Sequence, residues 1–128
     1  MAKIKYCNPK TMAPPGGHYS HVVVANGSAY ISGQLPITAA GKQLNAASFE
    51  EQANQVLANL QAALEAAGTS ISKLVQVRVY ITNMSNWPLF NTIYANWAGT
   101  ALPARAVIPV SELHYGFLLE IEALALVE

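Results

Sequence analysis

Apolar positions along the chain recur with a period of two in some stretches and of three to four in others, and these changes divide it into elements. Residues 22–25 (Val-Val-Val-Ala) and 28–31 (Ser-Ala-Tyr-Ile) flank Asn26-Gly27. Asn-Gly tolerates positive φ at both centres of a tight turn, so this stretch predicts a two-residue β-hairpin. Ser32-Gly33-Gln34-Leu35-Pro36 ends the second strand, and residues 8–18 and 37–47 read as loops. Ser48-Phe49-Glu50-Glu51 fits a capping box. The helix after it carries Val56, Leu57, Leu60, Ala63, Leu64 and Ala67 on one stripe, with Gln52, Gln55, Asn59 and Gln61 on the opposite face and Gly68 as its stop. Residues 75–82 alternate strictly: Val75, Val77, Val79 and Ile81 face one way, Gln76, Arg78, Tyr80 and Thr82 the other. That is the pattern of a half-buried strand.

Ser85 or Asn86 caps a second helix with Trp87-Pro88 in its first turn, Phe90, Ile93, Tyr94 and Trp97 on its packing face, and Gly99 at its end. Residues 104–110 form a short strand in which Pro109 cannot donate to a ladder, so an edge or a bulge falls there. Residues 117–127 (FLLEIEALALV) are apolar on both faces, which predicts a strand covered on both sides. The order is β-β-α-β-α-β-β. Two helices on one face of a mixed, mostly antiparallel sheet make a two-layer α+β architecture, in one domain spanning residues 1–128. The other face, expected to carry Val107 and one set of the last strand, has no helix left to cover it.

Composition bears on that uncovered face. Of 128 residues, 52% are hydrophobic and only 11% charged, against about 25% charged in a typical soluble domain. So few charges predict that much of the surface is buried against further copies of the chain. Net charge is zero and only two arginines, Arg78 and Arg105, are present, so a nucleic-acid partner is not expected. No apolar run is long enough to span a membrane. The first ten residues hold lysines but no apolar stretch, which argues against a secretory signal and for the cytoplasm. A single cysteine, Cys7, rules out an internal disulfide and a multi-cysteine zinc site.

Candidate chemistry is sparse. Arg105 lies in an apolar strand, Leu-Pro-Ala-Arg-Ala-Val-Ile. Its planar fork suits a structural ion pair with a glutamate or bidentate binding of a carboxylate ligand. Glu120 and Glu122 share one face of the last strand. In apolar surroundings a carboxylate becomes a stronger base; facing solvent, or paired with Arg78 or Arg105, it does not. His18 and His21, three apart in a loop entering a strand, are poorly spaced for a metal, and Cys7 has no basic neighbour to activate it. The chain contains no aspartate, which excludes a Ser-His-Asp triad.

Several stretches, in order and spacing, resemble one family. They are Gly17-His18-Tyr19-Ser20, Ile31 to Pro36, Leu64 to Gly68, Asn91-Thr92-Ile93-Tyr94, Pro103-Ala104-Arg105 and Leu119 to Ala123. Together they resemble the YjgF/RidA enamine/imine deaminases over nearly the whole length. The resemblance implies a chorismate-mutase-like α+β fold and a homotrimer with clefts between subunits. It also implies hydrolysis of reactive 2-imino acids, such as 2-iminopropionate from 2-aminoacrylate, to 2-keto acids and ammonia without metal or cofactor. Arg105 matches the residue that clamps the substrate carboxylate, and Glu120 the one that holds or activates water. Tyr19, Ser32 and Asn91 match cleft-lining positions, Gly33 a glycine beside the cleft, and the backbone at Val107 a further substrate-binding position. Val107 stands where the family often has cysteine, and His18 and His21 depart from its usual Pro and Gln. These departures leave room for a larger substrate, such as an aminated ring-cleavage product of the 2-aminomuconate type. A non-catalytic module binding a small keto acid is a further alternative.

Overall fold

The computed structural model of the chain describes residues 3–127. Its elements are β1 (Lys5–Cys7), β2 (Val22–Ala25), β3 (Ser28–Gln34), α1 (Phe49–Ala66), β4 (Leu74–Ile81), α2 (Trp87–Ala98), β5 (Ala104–Pro109) and β6 (Leu119–Leu126). The six strands form one sheet in the order β1-β2-β3-β6-β4-β5. All neighbours are antiparallel except β4 and β5, which run parallel because α2 crosses between them. The two-layer α+β arrangement is as expected from the sequence. The strand Lys5–Cys7 is an addition: three residues without a readable period, recruited by the free edge of β2.

Local chemistry explains the well-read elements. Asn26 and Gly27 take φ of 52° and 76°, the conformation a two-residue hairpin demands. Ser48 Oγ accepts from the Glu51 amide at 3.1 Å, so the helix starts where its cap places it. At its end Thr69 N–H donates to Leu64 O and Gly68 N–H to Glu65 O, the paired bonds of a Schellman close, with Gly68 at φ 79°. Ahead of α2, Asn83 Oδ1 accepts from Ser85 N–H at 3.0 Å. Asn86 occupies the N-cap without a side-chain bond, so neither Ser85 nor Asn86 caps as expected.

Three expectations change. Gln52 and Asn59 are buried, not on an exposed polar face. Gln52 accepts from the Leu118 amide (3.0 Å) and donates to Ala47 O (3.1 Å), and Asn59 donates to Leu35 O (3.0 Å) and Ile37 O (2.9 Å). Loop groups under the helix would otherwise be left unpaired, which is costly. The alternation in β4 breaks at its start: the register shifts between Leu74 and Gln76, leaving Leu74 buried and Val75 41% exposed. Val107 is not on the helix-free face. It pairs with buried Val79 in the parallel ladder and packs against the core between sheet and helices.

The core lies between the sheet and the helices. Val56, Leu57, Leu60 and Leu64 of α1 and Phe90 of α2 meet Val77, Val79 and Ile81 of β4 and Leu119, Ile121 and Ala125 of β6. The other face of the sheet carries Tyr30, Arg78, Tyr80, Glu120, Glu122 and Leu124, none of which is buried. The last strand is therefore covered on one side only.

Candidate functional site

Arg105 lies on the edge strand β5, aligned with buried Val77 of β4, and so projects to the helix side of the sheet. There it meets α2. Its guanidinium carbon is 4.9 Å from the ring centroid of Trp87 and 4.9 Å from that of Tyr94. Among the described residues no carboxylate pairs with it; the ion pair found is Arg78–Glu122, at 3.9 Å. A cavity of about 400 Å³ opens beside Arg105, with Asn91, Tyr94, Ala98, Leu102 and Pro103 in its walls. Leu102 is 92% exposed at its rim. Burial raises the Tyr94 phenol above its ordinary value, with the Arg105 charge pulling the other way.

Glu120 belongs to a second group, around β3 and β6. The register between these strands shifts from Ile31 to Gln34, and Ser32 and Gly33 fall in that irregularity. The Glu120 side chain fills the space above Gly33: a Cβ there would stand 2.9 Å from the carboxyl carbon. Burial holds the Glu120 carboxyl above the usual carboxylate range; His114 pulls it back and Glu122 pushes it further up. Glu122 accepts a hydrogen bond from the Tyr80 hydroxyl and has Arg78 beside it. Its hydrogen bond is also the main reason the Tyr80 phenol is raised. Near Ser32 a hollow of about 540 Å³ is lined by Tyr6, Gly17, His18, Tyr19, Ser20 and Val23. Ser32 Oγ donates to Ser20 O at 2.6 Å, tying the Tyr19 loop to β3.

Gly33→Ala tests this contact. The clash is with the mobile end of a side chain, so the fold is expected to persist with its melting temperature lowered by a few degrees at most. The carboxylate must move, however, and activity depending on its position is expected to fall at least tenfold in a steady-state assay.

The expected residues thus form two sets: Arg105, Asn91 and Val107 on the helix side at the β5 edge, and Tyr19, Ser32, Gly33 and Glu120 on the other face. Glu120 aligns with Tyr80 and Arg105 with Val77, three positions away on β4, so the two side chains leave opposite faces. They stand two strands apart, about 10 Å, and three residues along, about another 10 Å. One chain does not bring them together.

His18 is exposed, whereas His21 is buried with Nε2 2.7 Å from Ala13 O and Nδ1 3.3 Å from Gln34 Nε2. A carbonyl can only accept, so Nε2 carries the proton and His21 is committed to structure. Cys7 is buried in β1. The sequence places Tyr94 on the packing face of the helix and Trp87 in its first turn, and marks neither as a wall for Arg105. Their place in one row with Asn91, at i, i+4 and i+7, was the available signal.

The fold and the two residue sets define a class: a mixed-sheet α+β domain of the chorismate-mutase-like Rid type. The crystal structure of YyfA of the Rid family from Yersinia pestis superposes with a TM-score of 0.92 at 39% identity, covering 98% of this chain and 100% of that one. That of E. coli TdcF with bound serine has a TM-score of 0.89 at 27% identity, with 95% and 98% covered. Mouse 2-iminobutanoate/2-iminopropanoate deaminase is 37% identical over 116 residues, 90% of this chain and 86% of its own. Residues 10–127 match the model of the family described as endoribonuclease L-PSP. The chain belongs to that family, the YjgF/RidA proteins. Among the described residues no helix is long and apolar enough to cross a membrane.

Proposed function

We propose that the chain is an imine deaminase, which hydrolyses small carboxylated 2-imino acids to 2-oxo acids and ammonia in clefts shared between subunits of a homotrimer. The observation that carries this reading is the separation of its two reactive groups. Arg105 offers an unpaired guanidinium on one face and Glu120 a partly desolvated carboxylate on the other, so a complete site needs Arg105 of one copy beside Glu120 of the next. The names of the mouse relative and the serine-bound E. coli structure, ligands with a carboxylate next to nitrogen-bearing carbon, support the substrate class. The half-covered sheet face and the scarcity of charge support the assembly.

In this site Arg105 binds the substrate carboxylate through two parallel N–H···O bonds and fixes the orientation of the C=N bond. Glu120 takes a proton from water as its oxygen bonds to the imine carbon, and the C=N π electrons move to nitrogen, which becomes protonated. Glu120 passes the proton taken from water to that nitrogen and then relays the new hydroxyl's proton to it as well, so that C=O forms, the C–N bond breaks, and ammonia leaves with the bonding pair. The imine carbon is itself electrophilic, so the chain need supply only orientation and proton transfer. Asn91 stands beside Arg105, and Tyr19, Ser32 and Gly33 line the approach to Glu120.

Mixing two inactive variants tests the shared site. Arg105→Ala and Glu120→Gln chains, unfolded and reassembled together in equal amounts, are expected to recover about a quarter of wild-type ammonia release, because head-to-tail assembly pairs an intact Arg105 with an intact Glu120 at about one seam in four. No recovery from a well-assembled mixture overturns the shared site.

A further inference from the structure

Arg105 is exposed on an edge strand, and an exposed arginine ordinarily keeps rotamer freedom that binding must remove. Here two aromatic rings restrict it, each with its centroid 4.9 Å from the guanidinium carbon. Trp87 and Tyr94 are seven positions apart on α2, two turns or about 10.5 Å along the axis. That spacing suits one ring on each side of a planar group, with Asn91 on the turn between. Tyr94 is itself packed in: it is buried, with ring centroids of Phe90 and Trp97 at 5.7 and 5.9 Å.

The chemistry of the walls matters as much as their position. Indole and phenol faces attract a cation through the ring quadrupole and offer no in-plane acceptor for its N–H bonds. A glutamate in the same place would orient the arginine and use up its fork. Two rings orient it and leave the fork free. Both rings lie within cation–π distance of the guanidinium, and the cavity opens beside it.

We propose that Trp87 and Tyr94 are positioning residues that clamp Arg105 between them and present its N–H edge, pre-oriented, to a planar carboxylate. The proposal rests on the reading that Arg105 binds the substrate carboxylate, and adds how an exposed arginine holds one geometry. The clamp lowers the ordering cost of binding, so its loss is felt in KM more than in kcat.

The test uses the full-length chain with Trp87→Leu and Trp87→Phe. The readouts are steady-state imine hydrolysis, 2-oxobutanoate binding by calorimetry, and the NMR shift of the Arg105 Nε–H proton. Trp87→Leu is expected to raise KM and the 2-oxobutanoate Kd together by about tenfold, the scale of a partly desolvated cation–π contact, with kcat held within about threefold. Trp87→Phe, which keeps a ring, is expected to restore both to within about threefold. In the wild type the Arg105 proton is expected upfield, shifted by the ring currents, and to return to a free-arginine position in Trp87→Leu. That signal in the unaltered chain also decides the matter should Trp87→Leu fail to fold: an unshifted resonance overturns the clamp. A wild type that binds 2-oxobutanoate and turns over imine, beside a folded Trp87→Leu chain that equals it, overturns this proposal alone. A wild type that does neither overturns the functional reading and this proposal together.

Discussion

Glu120→Gln is expected to lower the rate of imine hydrolysis by about 10²- to 10⁴-fold, the range for loss of a positioned general base, while leaving the fold at neutral pH no less stable. The two effects have one cause. Burial takes water away from the carboxylate and raises its affinity for a proton. Glutamine keeps the shape above Gly33 but cannot accept a proton from water. The stability effect follows from linkage. The folded-state value lies above the unfolded 4.5, so protonated Glu120 favours the fold. That contribution is complete below about pH 4.5 and is lost as the pH rises through the folded-state value. At pH 7 the ionised side chain is a cost, which glutamine removes; at pH 4 there is nothing to remove. At protein concentrations low enough for the chains to separate, thermal unfolding should place the variant at or above wild type at pH 7, with the difference vanishing by pH 4; in the assembly the neighbouring Arg105 pulls the Glu120 carboxyl back down and shrinks the difference. Wild-type-like turnover in a folded Glu120→Gln chain would refute the role given to this carboxylate.

The second large effect is at Arg105. Replacing it with alanine removes two charge-assisted hydrogen bonds to the substrate carboxylate, so kcat/KM is expected to fall by roughly 10²- to 10³-fold. Arg105→Lys keeps the charge but not the planar fork, and is expected to recover only a minor part of the loss. The measurement is ammonia release from an imine generated in place by an amino-acid oxidase, with sedimentation run in parallel. No glutamate of its own chain holds Arg105 among the described residues, so its removal breaks no ion pair within the chain and the fold should be unchanged. An inactive variant that also dissociates would point to a structural role instead.

How much was readable beforehand followed from the range of each interaction. The Asn26-Gly27 hairpin, the Ser48 cap and the Gly68 stop are decided within five residues, and each stands where the sequence placed it. Pro109 lies on the outer strand, as a residue without an N–H requires. The strand Lys5–Cys7 was not visible, because its pairing is supplied by β2 rather than by its own pattern. Gln52 and Asn59 read as surface residues because amides usually are. The carbonyls of Leu35 and Ile37 and the amide of Leu118, distant in sequence, draw them inside. Val107 was assigned to the wrong face because β5 was read without its register; alignment with Val79 reverses it.

The candidate site shows the same division. Arg105 and Glu120 stand out in the sequence because charge is scarce and both lie in apolar strands. Backbone propensity, hydrophobic period and capping chemistry act over a few residues, so they suffice for the α+β layout and for these two candidates. What surrounds each candidate is set by strand register and helix docking, which join residues tens of positions apart. Those contacts place Glu120 over Gly33, partly buried and apart from the Arg78–Glu122 pair. They set Arg105 against Trp87 and Tyr94. They also send the two reactive side chains to opposite faces of one sheet, because their partners on β4 lie three positions apart, an odd offset, and successive side chains alternate across a strand.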